Sequence, residues 1–203
     1  MRAAAEQAEL FGRASGLPDG LVYRPDFLDA AEEASLVAAI RALRLEAARY
    51  KTFTAKRRIL SFGAGYDFGT NALTAAPPLP PFLHPLRERI AAWTGIPAHE
   101  FVQSTVAEYG PGTQLGWHRD VPHFGVVAGV SLASPARMRL RPYPHTKGAS
   151  ARALVLVLAP RSAYVFRGDA RWRWQHAISP TKALRHSITF RTMARAGSAT
   201  PAS

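Results

Sequence analysis

The sequence predicts a mostly β protein with N-terminal helices, an α+β chain. Two observations carry that prediction. Two helical stretches with apolar faces lie before residue 100, and from about Phe101 onward short β-prone stretches alternate with Gly/Pro turns. A third is size: 203 residues, 47% of them hydrophobic, fit one domain with a real core.

Taken in order, residues 1–18 read as a loosely held arm. Leu21 to Phe27 is apolar but interrupted by Pro25, which suits an edge strand or extended lead-in. Asp29 followed by Glu32 forms a capping-box pattern, and Leu36, Val37, Ile40 and Leu43 continue it at helical spacing. The run APPLPP, from Ala76 to Pro81, is a stiff linker and start signal. A second helix is expected over Phe82–Thr94, with Leu83, Leu86, Ile90 and Trp93 on one face. Strands are expected at Thr105–Tyr109, Gly125–Leu132, Met138–Arg141, Leu154–Leu158, Ala163–Phe166 and His186–Arg191, a spacing typical of a sandwich or barrel. The segment ARAGSATPAS from Ala194 reads as a disordered tail. The expected organisation is therefore an arm (1–18), one domain (19–193) with a helical layer at 19–100 and a β core at 101–193, and a tail (194–203).

Composition narrows the chemistry. With no cysteine, disulfides and thiolate sites are excluded, so any metal must sit on His, Asp or Glu. No apolar run of about 18 residues suggests a membrane span. The start, with Glu6 and Glu9, does not read as a secretory signal, so a cytoplasmic monomer is expected. The net charge of +12, from 26 basic and 14 acidic residues, points to a polyanionic partner, nucleic acid first. Most of the basic residues are Arg, and a GC-rich coding sequence alone would enrich that residue.

One constellation stands out. In EYGPGTQLGWHRD, His118 and Asp120 are two residues apart, so in an extended chain both point to the same side. His176, in WRWQHAISP, precedes a Pro turn at another strand end. Two His and one carboxylate on one face make the open site of non-haem Fe(II) oxygenases. H-x-D by itself is weak, and His123, His145 and His186 are alternatives for the third ligand. His123 would crowd one loop, and His186 should face the other side of its strand. On the last strand, ALRHSITFRTM, Arg185, Ser187, Thr189 and Arg191 share one face. Two inward Arg call for anionic partners, and a dicarboxylic acid supplies two.

In this order the motifs resemble the AlkB family of Fe(II)/2-oxoglutarate dioxygenases: Y-x-P-G from Tyr109, W-H-x-D from Trp117, Gly-Val-Ser-Leu from Gly129, His176, and R-x-S-x-T-F-R from Arg185. The resemblance covers about residues 20–193. It implies a double-stranded β-helix (jelly-roll) core under N-terminal helices and a substrate lid within 19–100. It also implies Fe(II) on His118, Asp120 and His176, with 2-oxoglutarate and O2 as cosubstrates. Arg185 would hold the distal 2-oxoglutarate carboxylate beside Tyr109 and Ser187, and Arg191 the carboxylate near the metal. Ala107 and Ser187 stand where the family often has Asn. Pro122 stands where its nucleic-acid repair members often have an acidic residue.

The family's reaction would be oxidative demethylation of alkylated bases in DNA or RNA, releasing formaldehyde, succinate and CO2. The lid candidate is Tyr50 to Gly69, with Lys51, Lys56, Arg57 and Arg58 for phosphates and Phe53, Phe62, Tyr66 and Phe68 for stacking or core. Arg58, Tyr66 and Arg119 are the expected substrate contacts. A base in a duplex would have to be flipped out. A dioxygenase acting on a protein or small molecule, and a non-catalytic nucleic-acid-binding module, are the competing readings.

Overall fold

The computed structural model describes residues 16–50, 53–67, 69–144 and 153–195. The expected arm over 1–15, Lys51, Phe68, His145, the side chain of Phe53 and the tail beyond 195 lie outside the described residues.

β1 (Leu21–Arg24) is an edge strand that stops just before Pro25. α1 (Ala30–Arg41) begins at Asp29 with both halves of the capping box formed: Glu32 N donates to Asp29 Oδ1 at 2.8 Å, and Asp29 N to Glu32 Oε2 at 2.9 Å. Such a cap contributes about 1 kcal/mol. α2 (His84–Thr94) follows a 3-10 turn at Pro81–Leu83 and stops at Gly95, whose φ of 72° suits glycine.

Four strands not expected from the sequence precede or join these helices: β2 (Glu46–Tyr50), β3 (Phe53–Phe62), β4 (Ala64–Asp67) and β5 (Ala72–Ala75). The chain then runs β6 (Phe101–Tyr109), β7 (Leu115–His118), β8 (Phe124–Leu132), β9 (Ala136–Pro142), β10 (Leu154–Leu158), β11 (Ala163–Phe166), α3 (Gly168–Trp172), β12 (Trp174–Ile178) and β13 (Arg185–Met193). The major sheet has the order β1-β11-β8-β13-β6-β3-β2, the minor sheet β10-β9-β12-β7, and β4 and β5 form a separate hairpin. All pairings are antiparallel. From β6 onward successive strands cross between the two sheets, apart from the β9–β10 neighbours, which is the jelly-roll expected. The division at residue 100 does not hold for the sheet. β1, β2 and β3 extend it, because their edges offer backbone groups that β11 and β6 would otherwise leave unpaired.

Two apolar cores hold the layers. Leu36 and Ile40 of α1 and Leu86 and Ile90 of α2 pack with Val106, Val130, Ile188 and Phe190 of the major sheet. Val127, Met138, Leu140, Leu158, Tyr164, Phe166 and Ile178 fill one end of the space between the sheets. The two cores fix the parity of β13: Ile188 and Phe190 turn to the helices, so Arg185, Ser187, Thr189 and Arg191 turn into the sandwich. His186 shares the parity of Ile188, lies fully buried outside the cavity, and contacts Glu108 Oε2 at 3.3 Å through Nε2.

Candidate metal centre and cosubstrate pocket

Between the sheets lies a cavity of about 740 Å³. The register of the minor sheet sets one wall, because β7 and β12 pair with His118 opposite His176. Asp120 follows β7 by two residues. The turn before β7 is tied down by Thr181, whose Oγ1 donates to Gly110 O at 2.6 Å, while Gly112 N donates to Thr181 O at 2.7 Å. Ligand atoms of His118, Asp120 and His176 all lie within 4.8 Å of one another, and they form the one such group among the described residues. His123 instead stacks near Tyr66, with ring centroids 5.5 Å apart.

The ligand atoms are prepared for a cation. His118 Nδ1 is 2.9 Å from Gly116 O, and a carbonyl only accepts, so Nδ1 carries the proton and Nε2 the lone pair. Burial pushes the His118 imidazole below its ordinary pKa. Burial, then the neighbouring His118, pushes His176 down to about 3. His176 also stacks on Phe166, with centroids 5.0 Å apart and planes at 22°, which fixes its ring. Burial works to raise the Asp120 carboxyl, but Arg191, His176 and Arg171 together hold it far below the usual carboxylate range. Arg191 Nε donates to Asp120 Oδ1 at 2.8 Å.

The opposite end of the cavity is built differently. Arg185 is 1% exposed; its Nε donates to Ser131 Oγ at 3.0 Å, and its Cζ lies 4.9 Å from the Tyr109 ring centroid. Arg185 Nη1 is buried with no acceptor. Tyr109 Oη accepts from Arg57 Nη1 at 3.2 Å. Burial works to raise the Tyr109 phenol, yet Arg57 and Arg185 prevail and lower it. Tyr164, pushed up to about 12 by burial, stays a neutral hydroxyl on the cavity wall. It fits there because position 129 is glycine: a Cβ would stand 2.3 Å from its ring.

An orphaned, buried guanidinium N–H on a pocket wall calls for an anionic oxygen. A carboxylate at Arg185, within a cavity that also holds a two-His-one-carboxylate set, fits 2-oxoglutarate and Fe(II). Fe(II) with 2-oxoglutarate and O2 supplies oxidation of an otherwise unreactive C–H bond. The chain's own residues keep two imidazoles neutral and one carboxylate ionised, and place Tyr109 and Ser187 beside Arg185 on the cavity wall.

Of the substrate contacts expected, Tyr66 and Arg119 line the cavity and Arg58 does not. Arg58 Nη1 pairs with Glu108 Oε1 at 3.0 Å, and Nε and Nη2 donate to Leu45 O. That placement is a correction. Pairing of β3 with β6 turns Arg57, Ile59 and Ser61 inward, so Arg57 takes the place expected of Arg58. Arg119 is held by Trp172 O at 3.0 Å and stacks 3.7 Å from the Tyr143 ring centroid. Residues missed in the sequence include Gln103 and Thr105, which accept from Arg191 Nη1 together with Thr189 of the expected Arg face. Thr105 opens an expected strand and pairs with Thr189, but no local alternation of polar and apolar residues marks it or Gln103 as inward. Arg171 was also missed: it is 3% exposed and donates to Val121, Phe124 and Gly125 carbonyls at 2.7–2.9 Å, clamping the loop after Asp120. Burial brings its guanidinium down to about 10.

Comparison with known proteins agrees with this geometry. A family model described as the 2OG-Fe(II) oxygenase superfamily matches residues 20–194. The chain is 31% identical over 180 residues to the "Alkylated DNA repair protein ALKBH8 homolog" of Arabidopsis thaliana, covering 78% of this chain and 50% of that protein. It is 24% identical over 170 residues to the Mus musculus "tRNA (carboxymethyluridine(34)-5-O)-methyltransferase ALKBH8", covering 82% of this chain and 25% of that protein. The chain thus spans half or less of the curated relatives' length. Among solved structures, OsALKBH1 superposes with a TM-score of 0.64 at 15% identity, over 87% of this chain and 98% of that one. A Pseudomonas putida prolyl-4-hydroxylase gives 0.60 at 17%, over 87% and 93%. At such identities these two show the shared fold. The chain belongs to the 2OG-Fe(II) oxygenase superfamily as an AlkB-like enzyme that uses Fe(II), 2-oxoglutarate and O2.

Proposed function

We propose that this enzyme oxidises alkyl groups on nucleobases of DNA or RNA, with loss of a methyl group as formaldehyde and formation of succinate and CO2. In this reading His118, Asp120 and His176 hold the iron. Arg185, Tyr109 and Ser187 receive the distal cosubstrate carboxylate, and Arg191 serves the carboxylate nearer the metal. The supporting observation is the rest of the cavity lining. Lys56, Arg57 and Arg119 supply cations, and Tyr66 beside His123 supplies an aromatic surface, on the same cavity as the metal ligands. Cations suit phosphate and rings suit a stacked base. The relatives named for alkylated DNA repair and for a tRNA uridine give the same direction.

The competing reading is a protein or small-molecule substrate, and the similarity to a prolyl-4-hydroxylase fold favours keeping it. A screen separates the two. Methylated single- and double-stranded oligonucleotides are offered with Fe(II) and 2-oxoglutarate, and formaldehyde, succinate and product mass are measured. Formaldehyde matched by succinate from one oligonucleotide is the expected result. Succinate coupled only to a peptide or small molecule, with every oligonucleotide returned unchanged, would move the assignment to the second reading.

A further inference from the structure

The charge of this protein is unevenly placed. Residues 1–120 hold 13 basic and 13 acidic residues, whereas residues 121–203 hold 13 basic residues and one acidic residue, Asp169. The whole excess of +12 therefore lies in the second part of the chain. Among the described residues, Arg185 and Arg191 of these line the cavity, and Arg171 clamps the loop after Asp120.

Several of them converge on the outer face of the minor sheet. On β9, Ala136, Met138 and Leu140 are buried, so Arg137, Arg139 and Arg141 point outward in a row. Trp117 of β7 carries two of them: Arg139 Cζ lies 4.9 Å and Arg141 Cζ 4.3 Å from its ring centroid. Arg141 Nε donates to Gln175 Oε1 at 2.9 Å, while Arg139 Nε is buried with no acceptor. Arg137 is exposed, opposite Val157, itself 51% exposed. At the β7 end of the sheet Arg119 rests on Tyr143 and lines the cavity. No Asp or Glu occurs on β7, β9, β10 or β12.

We infer that this face is a second polyanion surface, a track that holds the phosphodiester backbone of one nucleic-acid strand from the cavity mouth at Arg119 along Arg141, Arg139 and Arg137. Alternate residues on a strand recur every ~6.7 Å, close to the separation of successive phosphates in an extended single strand. A guanidinium stacked on an aromatic ring is pre-organised and still presents N–H groups to a phosphate. Without a carboxylate on the face, the row repels itself and gains from a polyanion. The inference rests on the nucleic-acid reading above, and places the strand beyond the base that enters the cavity.

The test uses the full chain with Fe(II) and 2-oxoglutarate. Fluorescence anisotropy follows unmodified single-stranded oligonucleotides, a short one that fills only the cavity and a long one that reaches across the sheet. In the triple variant Arg137→Gln, Arg139→Gln, Arg141→Gln, long-strand affinity drops to that of the short strand. Its log–log salt slope becomes shallower by about 2, at roughly 0.7 per phosphate contact. Short-strand binding and oligonucleotide-independent succinate formation stay unchanged. Arg137→Glu alone, at an exposed side chain that does not bear on folding, weakens the long strand several-fold. If the wild type binds and oxidises oligonucleotides but Arg137→Glu and the triple variant bind the long strand as tightly with the same slope, the track is wrong and the nucleic-acid reading stands. If the wild type binds no oligonucleotide, both fail. If the variants lose anionic vesicle binding while keeping oligonucleotide binding, the face serves a lipid surface and the inference is overturned.

Discussion

The two ends of the cavity carry the same kinds of side chain in opposite electrostatic states. At the metal end every charge has a partner: Asp120 is met by Arg191 at 2.8 Å and by His176 at 3.8 Å, and Arg171 is wrapped by three carbonyls. At the far end Arg185 is as deeply buried, yet its contacts are Ser131 and the Tyr109 ring, and its Nη1 has no acceptor. The metal end is compensated by the protein itself. The far end is completed only by an anion from outside. Removing a charge should therefore unfold one end and merely empty the other.

Asp120→Ala tests that contrast with the largest expected effect. It leaves Arg191 and Arg171 facing a lost carboxylate, and breaking a buried pair from one side costs about 3–5 kcal/mol. Succinate formation should fall to background, and the denaturant midpoint of the metal-free protein should drop with it. An unchanged midpoint would show that the metal end is not held together by its ion pairs.

Acidification probes the same end. His118, His176 and His186 are all held below the ordinary imidazole pKa, by burial first. The folded state refuses a proton that the unfolded chain accepts, so stability falls as pH falls. The loss begins near the unfolded value of about 6.5 and continues toward about 3, where folded His176 titrates. Depressed Asp120 adds in the same direction below its own unfolded value. Thermal melts of the metal-free protein from about pH 7 to pH 4 should show a steady decline; a flat profile would contradict the burial of the imidazoles.

Arg185→Met should behave the other way. It removes a buried cation whose Nη1 has no acceptor, so the metal-free protein should melt no lower than wild type. The KM for 2-oxoglutarate should rise by about 10–100-fold, matching roughly 1.5–3 kcal/mol for hydrogen bonds to a charged group. The rise in melting temperature on adding 2-oxoglutarate should disappear. A destabilised variant with an unaltered KM would assign Arg185 to the core.

The smallest effects compare neighbours on β3. Arg57→Ala removes a guanidinium that contacts Tyr109 in the cavity, and should alter KM for cosubstrate or oligonucleotide several-fold. Arg58→Ala removes a half-exposed pair with Glu108, worth about 0–1 kcal/mol, and should leave both KM values alone. Equal effects would mean that β3 does not hold its observed register.

That pair also marks how far the sequence could be read. The capping box at Asp29 and Glu32, the strands β6, β8, β9, β10, β11 and β13 and the H-x-D pair were legible because each rests on residues a few positions apart. β7 has four residues, and β2 and β5 lack a strong alternating pattern, so nothing local separates them from loops. Along β3 the string AKRRILSF offers either parity, and only its pairing with β6, Ile59 opposite Ala107, turns Arg57 rather than Arg58 inward.

By itself the sequence determined the chemistry that was available: no thiol, a His-x-Asp pair, a distant His, and a strand with Arg185 and Arg191 on one face. Those follow from residue identity and the two-residue period of an extended chain. Only the tertiary structure decided what met what. Antiparallel register placed His176 across from His118, buried Arg185 with no acceptor on Nη1, and brought Arg171 onto the loop after Asp120. Burial, ion pairing and pKa depend on neighbours far along the chain, and those neighbours exist only once the two sheets have closed on each other.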